Sequence, residues 1–302
     1  MYAIELKDVT KQFGDFLAVK NLSFAVPQGS IFGFLGPNGA GKTTTIRMIT
    51  NIVGPDSGEI LWLGQKITSE FQKLIGYMPE DRGLYSKRRI GDQLIFFGRL
   101  KGLTKREAVR QVDEWLTRFE LSGSKKMTAV ELSKGMRQKV QFIAAVLHDP
   151  EVLILDEPFT GLDPISVSLL KEVILGLKLR GRTIIFSTHQ MEQVEQICDE
   201  VCLINHGTKV LNGTLTEIKQ RFQNNSALLG YRGNDSFLAN EMFVQVNKHR
   251  DHIEVVLKDP TDAQELLRQA LSAGAVINRF QMVEPSLNEI FIKTVGEKNG
   301  ED

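Results

Sequence analysis

Apolar positions near the N-terminus fall in short runs that predict strands at Ala3–Val9 and Leu22–Val26. A turn at Gly14 separates them, and Pro27-Gln28-Gly29 closes the second. Ser30–Leu35 is almost wholly apolar, the pattern of a strand buried on both faces. A helix carrying Ile46, Met48 and Ile49 is expected to begin near Gly41, and after Gly54–Gly58 a strand is expected at Glu59–Leu63.

The period then changes. Residues 88–148 read as mainly helical: Thr104-Lys105-Arg106-Glu107 is a capping box, followed by Val109, Val112, Leu116 and Phe119 on one face. A second helix is expected over Gly135–Leu147. Buried-strand character returns at Val152–Leu155, Thr183–Ser187 and Val201–Asn205. Strands alternating with helices predict an α/β fold with a parallel sheet, and the helical block reads as an insertion into it.

Polar stretches around Gln223–Ser226 and Gly233–Ser236 suggest a boundary, with residues 223–236 as a linker between a domain of residues 1–222 and a small α+β domain of residues 237–302. In the latter, Ile253, Val255 and Leu257 alternate as in a strand. Thr261–Ala273 is expected as a capped helix, Ala275–Met282 as a strand, and Ser286-Leu287-Asn288-Glu289 as the cap of a last helix.

Composition narrows the classes. The 302 residues are 42% apolar and 25% charged, as in an ordinary globular chain. Lys+Arg and Asp+Glu balance at 37 each, so there is no overall pull toward nucleic acid. Cys198 and Cys202 are the two cysteines; they read as free thiols in a reducing compartment, too few for a disulfide framework or a zinc site. The start MYAIELKDVT lacks signal-peptide character, and no apolar run is long enough to span a membrane, so a soluble intracellular protein is expected.

Two segments carry chemistry. Gly36-Pro37-Asn38-Gly39-Ala40-Gly41-Lys42-Thr43 fits G-x-x-x-x-G-K-[ST] between an expected buried strand and a helix. There backbone N–H groups curl around phosphates, Lys42 reaches the β- and γ-phosphates, and the Thr43 hydroxyl takes a place on Mg²⁺. Val152–Leu155 ends in Asp156-Glu157. A carboxylate at that strand edge is placed to hold Mg²⁺, and Glu157 to orient or deprotonate an attacking water.

With these two motifs in one chain, the sequence resembles the nucleotide-binding cassette of ABC transporters. Leu132-Ser133-Lys134-Gly135-Met136 is similar to that family's LSGGQ signature, Gly161-Leu162-Asp163-Pro164 to its D-loop, and His189 to its switch histidine. Phe13, in Lys11-Gln12-Phe13-Gly14, falls where the family places an aromatic under adenine, and Glu80, in Tyr77-Met78-Pro79-Glu80, falls at the Q-loop. The resemblance implies a P-loop NTPase (RecA-like) core with an N-terminal antiparallel β subdomain and a helical subdomain, followed by the small α+β domain. It implies ATP and Mg²⁺ as ligands. Glu157, His189 and Glu80 become the catalytic candidates, and Thr43, Asp156 and Glu80 the metal ligands. Phe13, residues Gly36 to Thr43, Thr44, Ser133, Gly135 and Asp163 become the nucleotide contacts. The ending Glu284–Phe291 resembles the module appended in the export-type branch.

The pattern departs from the family at two places: Glu80 stands for Gln, and Ser-Lys-Gly-Met for Ser-Gly-Gly-Gln. Lys134 either adds a charged contact to phosphate or points to solvent. Lys87-Arg88-Arg89 is either a solvated face or a contact with a membrane partner, and Phe13 either supports adenine or fills a core. The remaining histidines have no metal-like spacing.

As the family works, each ATP lies between the phosphate loop of one cassette and the signature of another. The implied partners are a second copy or a paralogous cassette, joined head to tail, and a polytopic membrane permease; no nucleic acid is expected. The expected location is peripheral, on the cytoplasmic face of the membrane. The implied function is the ATP-hydrolysing subunit of an exporter. The alternatives are a soluble non-transport ATPase of the same family and an ATP-sensing regulator without turnover.

Overall fold

Antiparallel pairing opens the chain in this computed structural model, which describes residues 1–66, 68–80, 83–222, 225–238, 242–259 and 261–298. Strands β1 (Tyr2–Phe13) and β2 (Phe16–Pro27) form a hairpin that turns at Gly14, φ 55°. Both outrun the expected Ala3–Val9 and Leu22–Val26, because pairing continues to Phe13 opposite Phe16. Next come β3 (Ile31–Leu35), buried throughout, and helix α1 (Lys42–Ile49). Strands β4 (Ser57–Trp62) and β5 (Gln65–Lys66) then complete an antiparallel sheet of order β2-β1-β4-β5.

The central sheet is built from β3 and from strands supplied later. These are β6 (Ile75–Met78), then, after helices α2 (Ile90–Leu100), α3 (Lys105–Arg118) and α4 (Lys134–Val146), β7 (Val152–Asp156). Helix α5 (Pro164–Leu179) leads to β8 (Thr183–Thr188), and α6 (Met191–Ile197) to β9 (Glu200–Asn205) and β10 (Thr208–Thr214). The order is β10-β9-β3-β8-β7-β6, parallel except for β10 at the edge. Strand β8 therefore separates β3 from β7, with Thr188 beside Leu35 and Ser187 beside Asp156. The ends of the two motif-bearing strands meet at one edge, where ligands gather in such sheets. Phe24 of β2 stacks on Phe32 and Phe34 of β3 at 5.4 Å, joining the two sheets through one apolar core.

The helical block begins as expected: Thr104 caps α3, with Glu107 completing the capping box. It is fastened to β6. A Cβ on Gly76 would stand 2.1 Å from Ala145 O, so α4 and β6 touch backbone to backbone. At the start of β6, Ile75 O accepts from Lys101 Nζ at 2.9 Å and from His148 Nε2 at 3.1 Å; Lys101 Nζ also donates to Gln72 O. The bond to Ile75 O sets the His148 tautomer, and Nδ1 is left buried with no hydrogen-bond partner among the described residues.

The chain divides into two compact units, Met1–Leu215 and Thr216–Asp302. Helix α7 (Leu215–Arg221) starts at the division. In the second unit, β11 (Ser226–Arg232), β12 (Phe243–Lys248), β13 (Ile253–Leu257), helix α8 (Asp262–Ser272), β14 (Val276–Met282) and helix α9 (Leu287–Lys298) follow, with sheet order β12-β13-β11-β14. The expected linker over 223–236 is corrected here. Ser226–Arg232 is an inner strand, with Ala227 and Leu229 buried beneath α8's Leu266 in the same core. Its short alternation is hidden between polar flanks. Residues 223 and 224 of that expectation, and 239–241, 260 and 299–302 of the small domain, lie outside the described residues. A second expectation also changes: Thr261 makes no side-chain cap of α8, and Asp259 instead accepts from the Thr261 amide and hydroxyl. Ser286 does cap α9, accepting from Glu289 N at 3.2 Å while the Glu289 carboxylate accepts from Ser286 N.

Burial, with the Lys101 charge second, pushes the His148 imidazole down to about 4 from its ordinary 6.5. Because the unfolded chain takes up a proton that the folded one refuses, this contribution is full above 6.5 and is lost as pH falls toward about 4. Urea unfolding at neutral pH and at the bottom of that window is expected to show a steeper loss of stability in the wild type than in His148→Phe. Equal losses would remove His148 from the acid response.

Candidate functional site

The loop after β3 is shaped by backbone that other residues rarely adopt. Gly41, at φ 101°, heads α1, and a Cβ there would stand 2.6 Å from Ala18 O. Gly39 is also left-handed, at φ 79°. The N–H groups at the head of α1 have no helical acceptors and suit an anion. Ala40 and Pro37 act through backbone: Pro37 O accepts from Ala40 N and Ala40 O from Gly207 N. Lys42 is buried, and its ammonium donates to Gly36 O at 2.7 Å and Pro37 O at 3.1 Å. Burial lowers its pKa, opposed by Glu157, Asp156 and Glu80.

Across the sheet edge, Asp156 Oδ2 accepts from Thr43 Oγ1 at 2.9 Å, and Oδ1 accepts from Ser187 Oγ. Burial raises the Asp156 pKa against both hydroxyls. Glu157 is held more fully. Its Oε1 accepts from His189 N at 3.1 Å and lies 2.8 Å from His189 Nδ1; its Oε2 accepts from Thr188 Oγ1 at 3.1 Å. Lys42 Nζ is 3.9 Å from Glu157 Oε1. The Glu157 backbone has φ 50°, unusual for a side chain of this size.

Lys42, Thr43, Asp156 and Glu157 line a cavity of about 370 Å³ that also reaches Asn38, Thr44 and Glu80; His189 stands behind Glu157 and is not among the lining residues. Glu80 is exposed at its rim. Behind it, burial, with Asp156 second, pushes the Tyr77 phenol up to about 12. The aromatic lining this cavity is Phe16, which the sequence reading did not single out. Phe13 stands opposite it across the hairpin end, with the Lys11 ammonium 5.4 Å from its ring centroid. Phe16 becomes visible only once hairpin register sets it against Phe13. Ser187 and Thr188, which bond Asp156 and Glu157, and Thr160, whose hydroxyl donates to Glu157 Oε2 at 3.5 Å, were missed as well.

Ser133, Gly135 and Asp163 are not brought into the cavity. Ser133 heads α4, accepting from Met136 N at 3.2 Å, and is exposed. Asp163 caps α5 through Ser166 N at 2.9 Å, and Ser166 donors hold its carboxyl below the usual range.

The donor set suits a nucleoside triphosphate with a hard divalent ion. A lysine, a helix N-terminus and glycine backbone would suit phosphate, while Thr43 and Asp156 offer oxygens of the kind Mg²⁺ prefers. Among the described residues no group of three or more His, Cys, Asp and Glu could hold a metal, so phosphate and water oxygens would complete the shell.

Two family models match the sequence: "ABC transporter" over residues 19–160, and "ATP-binding protein DrrA1-3-like, C-terminal domain" over residues 213–295. The uncharacterized ABC transporter ATP-binding protein YhaQ of Bacillus subtilis (strain 168) is 43% identical over 97% of this chain and 98% of its own length. Nod factor export ATP-binding protein I of Rhizobium sp. (strain N33) is 34% identical over 98% of both chains. A solved structure, that of an ATP-binding subunit of an ABC transporter, superposes with a TM-score of 0.68 and is 31% identical. It covers 73% of this chain and 93% of its own.

Stacking of a base on an aromatic ring contributes about 1–3 kcal/mol, so Phe16→Ala is expected to weaken nucleotide binding roughly fivefold or more in a fluorescent-analogue titration. Unchanged binding would remove Phe16 from the site.

Proposed function

This chain belongs to the ABC transporter ATP-binding proteins, and from that footing we propose that it drives an export permease by hydrolysing ATP between two head-to-tail copies. The family binds and hydrolyses ATP. The observation that carries the catalytic reading is Glu157, whose carboxylate is held by His189 N and Thr188 Oγ1 at the wall of the phosphate cavity, beside Lys42.

Lys42 and the Gly36–Gly41 backbone hold the phosphates, and Phe13 and Phe16 at the hairpin end meet the adenine. Thr43 and Asp156 would hold Mg²⁺, which neutralises phosphate-oxygen charge when bound. Glu157 accepts a proton from the attacking water as the bond between the γ-phosphorus and the bridging oxygen breaks. His189, hydrogen-bonded to Glu157, keeps that carboxylate and the water in line. Glu80 at the rim adds a carboxylate toward the same water or metal. Ser133 and Gly135 of a second copy contribute a hydroxyl and a helix N-terminus to the γ-phosphate, and Asp163 links the two sites. Loss of that phosphate charge lets the copies part.

Among the described residues no helix is long and apolar enough to cross a membrane. In this reading the permease is a separate polypeptide, and this subunit sits peripherally on the cytoplasmic membrane face. A groove of about 460 Å³ lined by Tyr85, Arg88, Asp92, Gln93 and Phe96 supports a contact there, since Tyr85 and Phe96 leave large apolar surfaces exposed. Gln93 fixes the groove by bonding the Tyr85 amide and carbonyl and Arg88 O. The export direction rests on the similarity to the Nod factor export protein.

General-base catalysis is worth ~10²–10⁴-fold, so Glu157→Gln is expected to lower turnover by about 100-fold or more while ATP binding persists. Light scattering should then find an ATP-dependent dimer. Absence of wild-type turnover, alone and with membranes holding a permease, would favour an ATP sensor; a chain monomeric at saturating ATP would contradict the head-to-tail site.

A further inference from the structure

One face of α4 grips the loop after β7 at both ends. Gln138 is buried, and its Nε2 donates to Glu157 O at 3.0 Å and Pro158 O at 3.2 Å. Lys134 lies one helical turn earlier on the same face. A Cβ built on Gly161 would stand 3.2, 2.8 and 2.7 Å from Lys134 Cγ, Cδ and Cε, so the lysine stem lies across the Gly161 α-carbon. At Gly135 the same construction meets Gly161 O at 3.5 Å and Leu162 Cδ2 at 3.8 Å. The first turn of α4 and the residues before Asp163 are thus packed together.

The loop needs such support. Glu157 at φ 50° occupies a left-handed conformation that persists for a non-glycine residue only when its surroundings hold it. Hydroxyls and His189 hold its carboxylate; the Gln138 amide holds its carbonyl. The atoms of Lys134 that reach Gly161 are methylene carbons, so packing rather than charge makes this contact. A glycine at position 134, as in the LSGGQ pattern, would leave Gly161 bare.

We propose that Lys134 and Gln138 are positioning residues that lock the Glu157–Gly161 loop to the helix headed by Ser133. The setting of Glu157 in one phosphate site then follows the seating of Ser133 and Gly135 against the phosphate of the other. The proposal rests on the two-copy reading above; its physical core, the grip within one chain, does not.

Two measurements on the full chain separate these. In a thermal-unfolding cycle, Gly161→Ala is expected to lower Tm more beside Lys134 than in the Lys134→Gly background, where the stem no longer meets the added methyl; additive effects would overturn the grip. In ATPase assays, Lys134→Gly and Gln138→Met are expected to lower kcat about tenfold, with KM and the affinity for a fluorescent ATP analogue within twofold of wild type. Lys134→Met, which keeps the stem without the charge, is expected to hold the wild-type kcat. Unchanged kcat in Lys134→Gly, or an equal loss in Lys134→Met, would overturn the positioning role. If Gln138→Met fails to fold, the exposed Lys134 pair carries the decision. A wild type without turnover would count against the ATPase reading, and the melting cycle would still decide the grip.

Discussion

Asp156 and Glu157 stand side by side at the end of a fully buried strand, 1% and 5% exposed, and most of the architecture around them answers that burial. Two adjacent carboxylates removed from water are costly unless each finds donors and a nearby cation. Ser187 and Thr43 supply hydroxyls to one, Thr188 and His189 supply donors to the other, and Lys42 brings the positive charge. Each of these residues lies at or just after the end of a strand, or in the first turn of a helix, at the same sheet edge. The strand order that puts β8 between β3 and β7 is what allows it.

The same constraint explains why the site has two kinds of part. Lys42, Asp156 and Glu157 are buried and held by hydrogen bonds within this chain. Ser133, Gly135 and Asp163 are instead outside the cavity, on helix starts. Helix α4 belongs to both sets: its first residues carry the signature, and Gln138 reaches the Glu157 backbone. Backbone contact at Gly76 further ties this helix to β6, the strand that leads to Glu80.

How much of this was legible along the chain depended on range. The phosphate loop and the Asp156-Glu157 strand end were readable because their chemistry is local, a run of glycines or an apolar run with a charged end. The capping boxes at Thr104 and Ser286 were readable for the same reason. Ser187, Thr188 and Phe16 were not, because a hydroxyl or a ring acquires its role from a neighbour distant in sequence. Strand β11 was lost between asparagine- and glycine-rich flanks, its buried set reduced to Ala227 and Leu229. The place of Lys134 was left open between phosphate and solvent, and its stem's contact with Gly161 is purely tertiary.

The dependence of the site on one compensated acidic cluster can be measured without nucleotide. Lys42→Met leaves Glu157 buried without its cation, whereas Lys42→Met with Glu157→Gln removes both charges. Chemical unfolding of the four proteins in this cycle is expected to give a coupling energy of about 1 kcal/mol or more, with the double variant recovering stability lost by Lys42→Met. Additive losses, with no recovery in the double variant, would contradict the account.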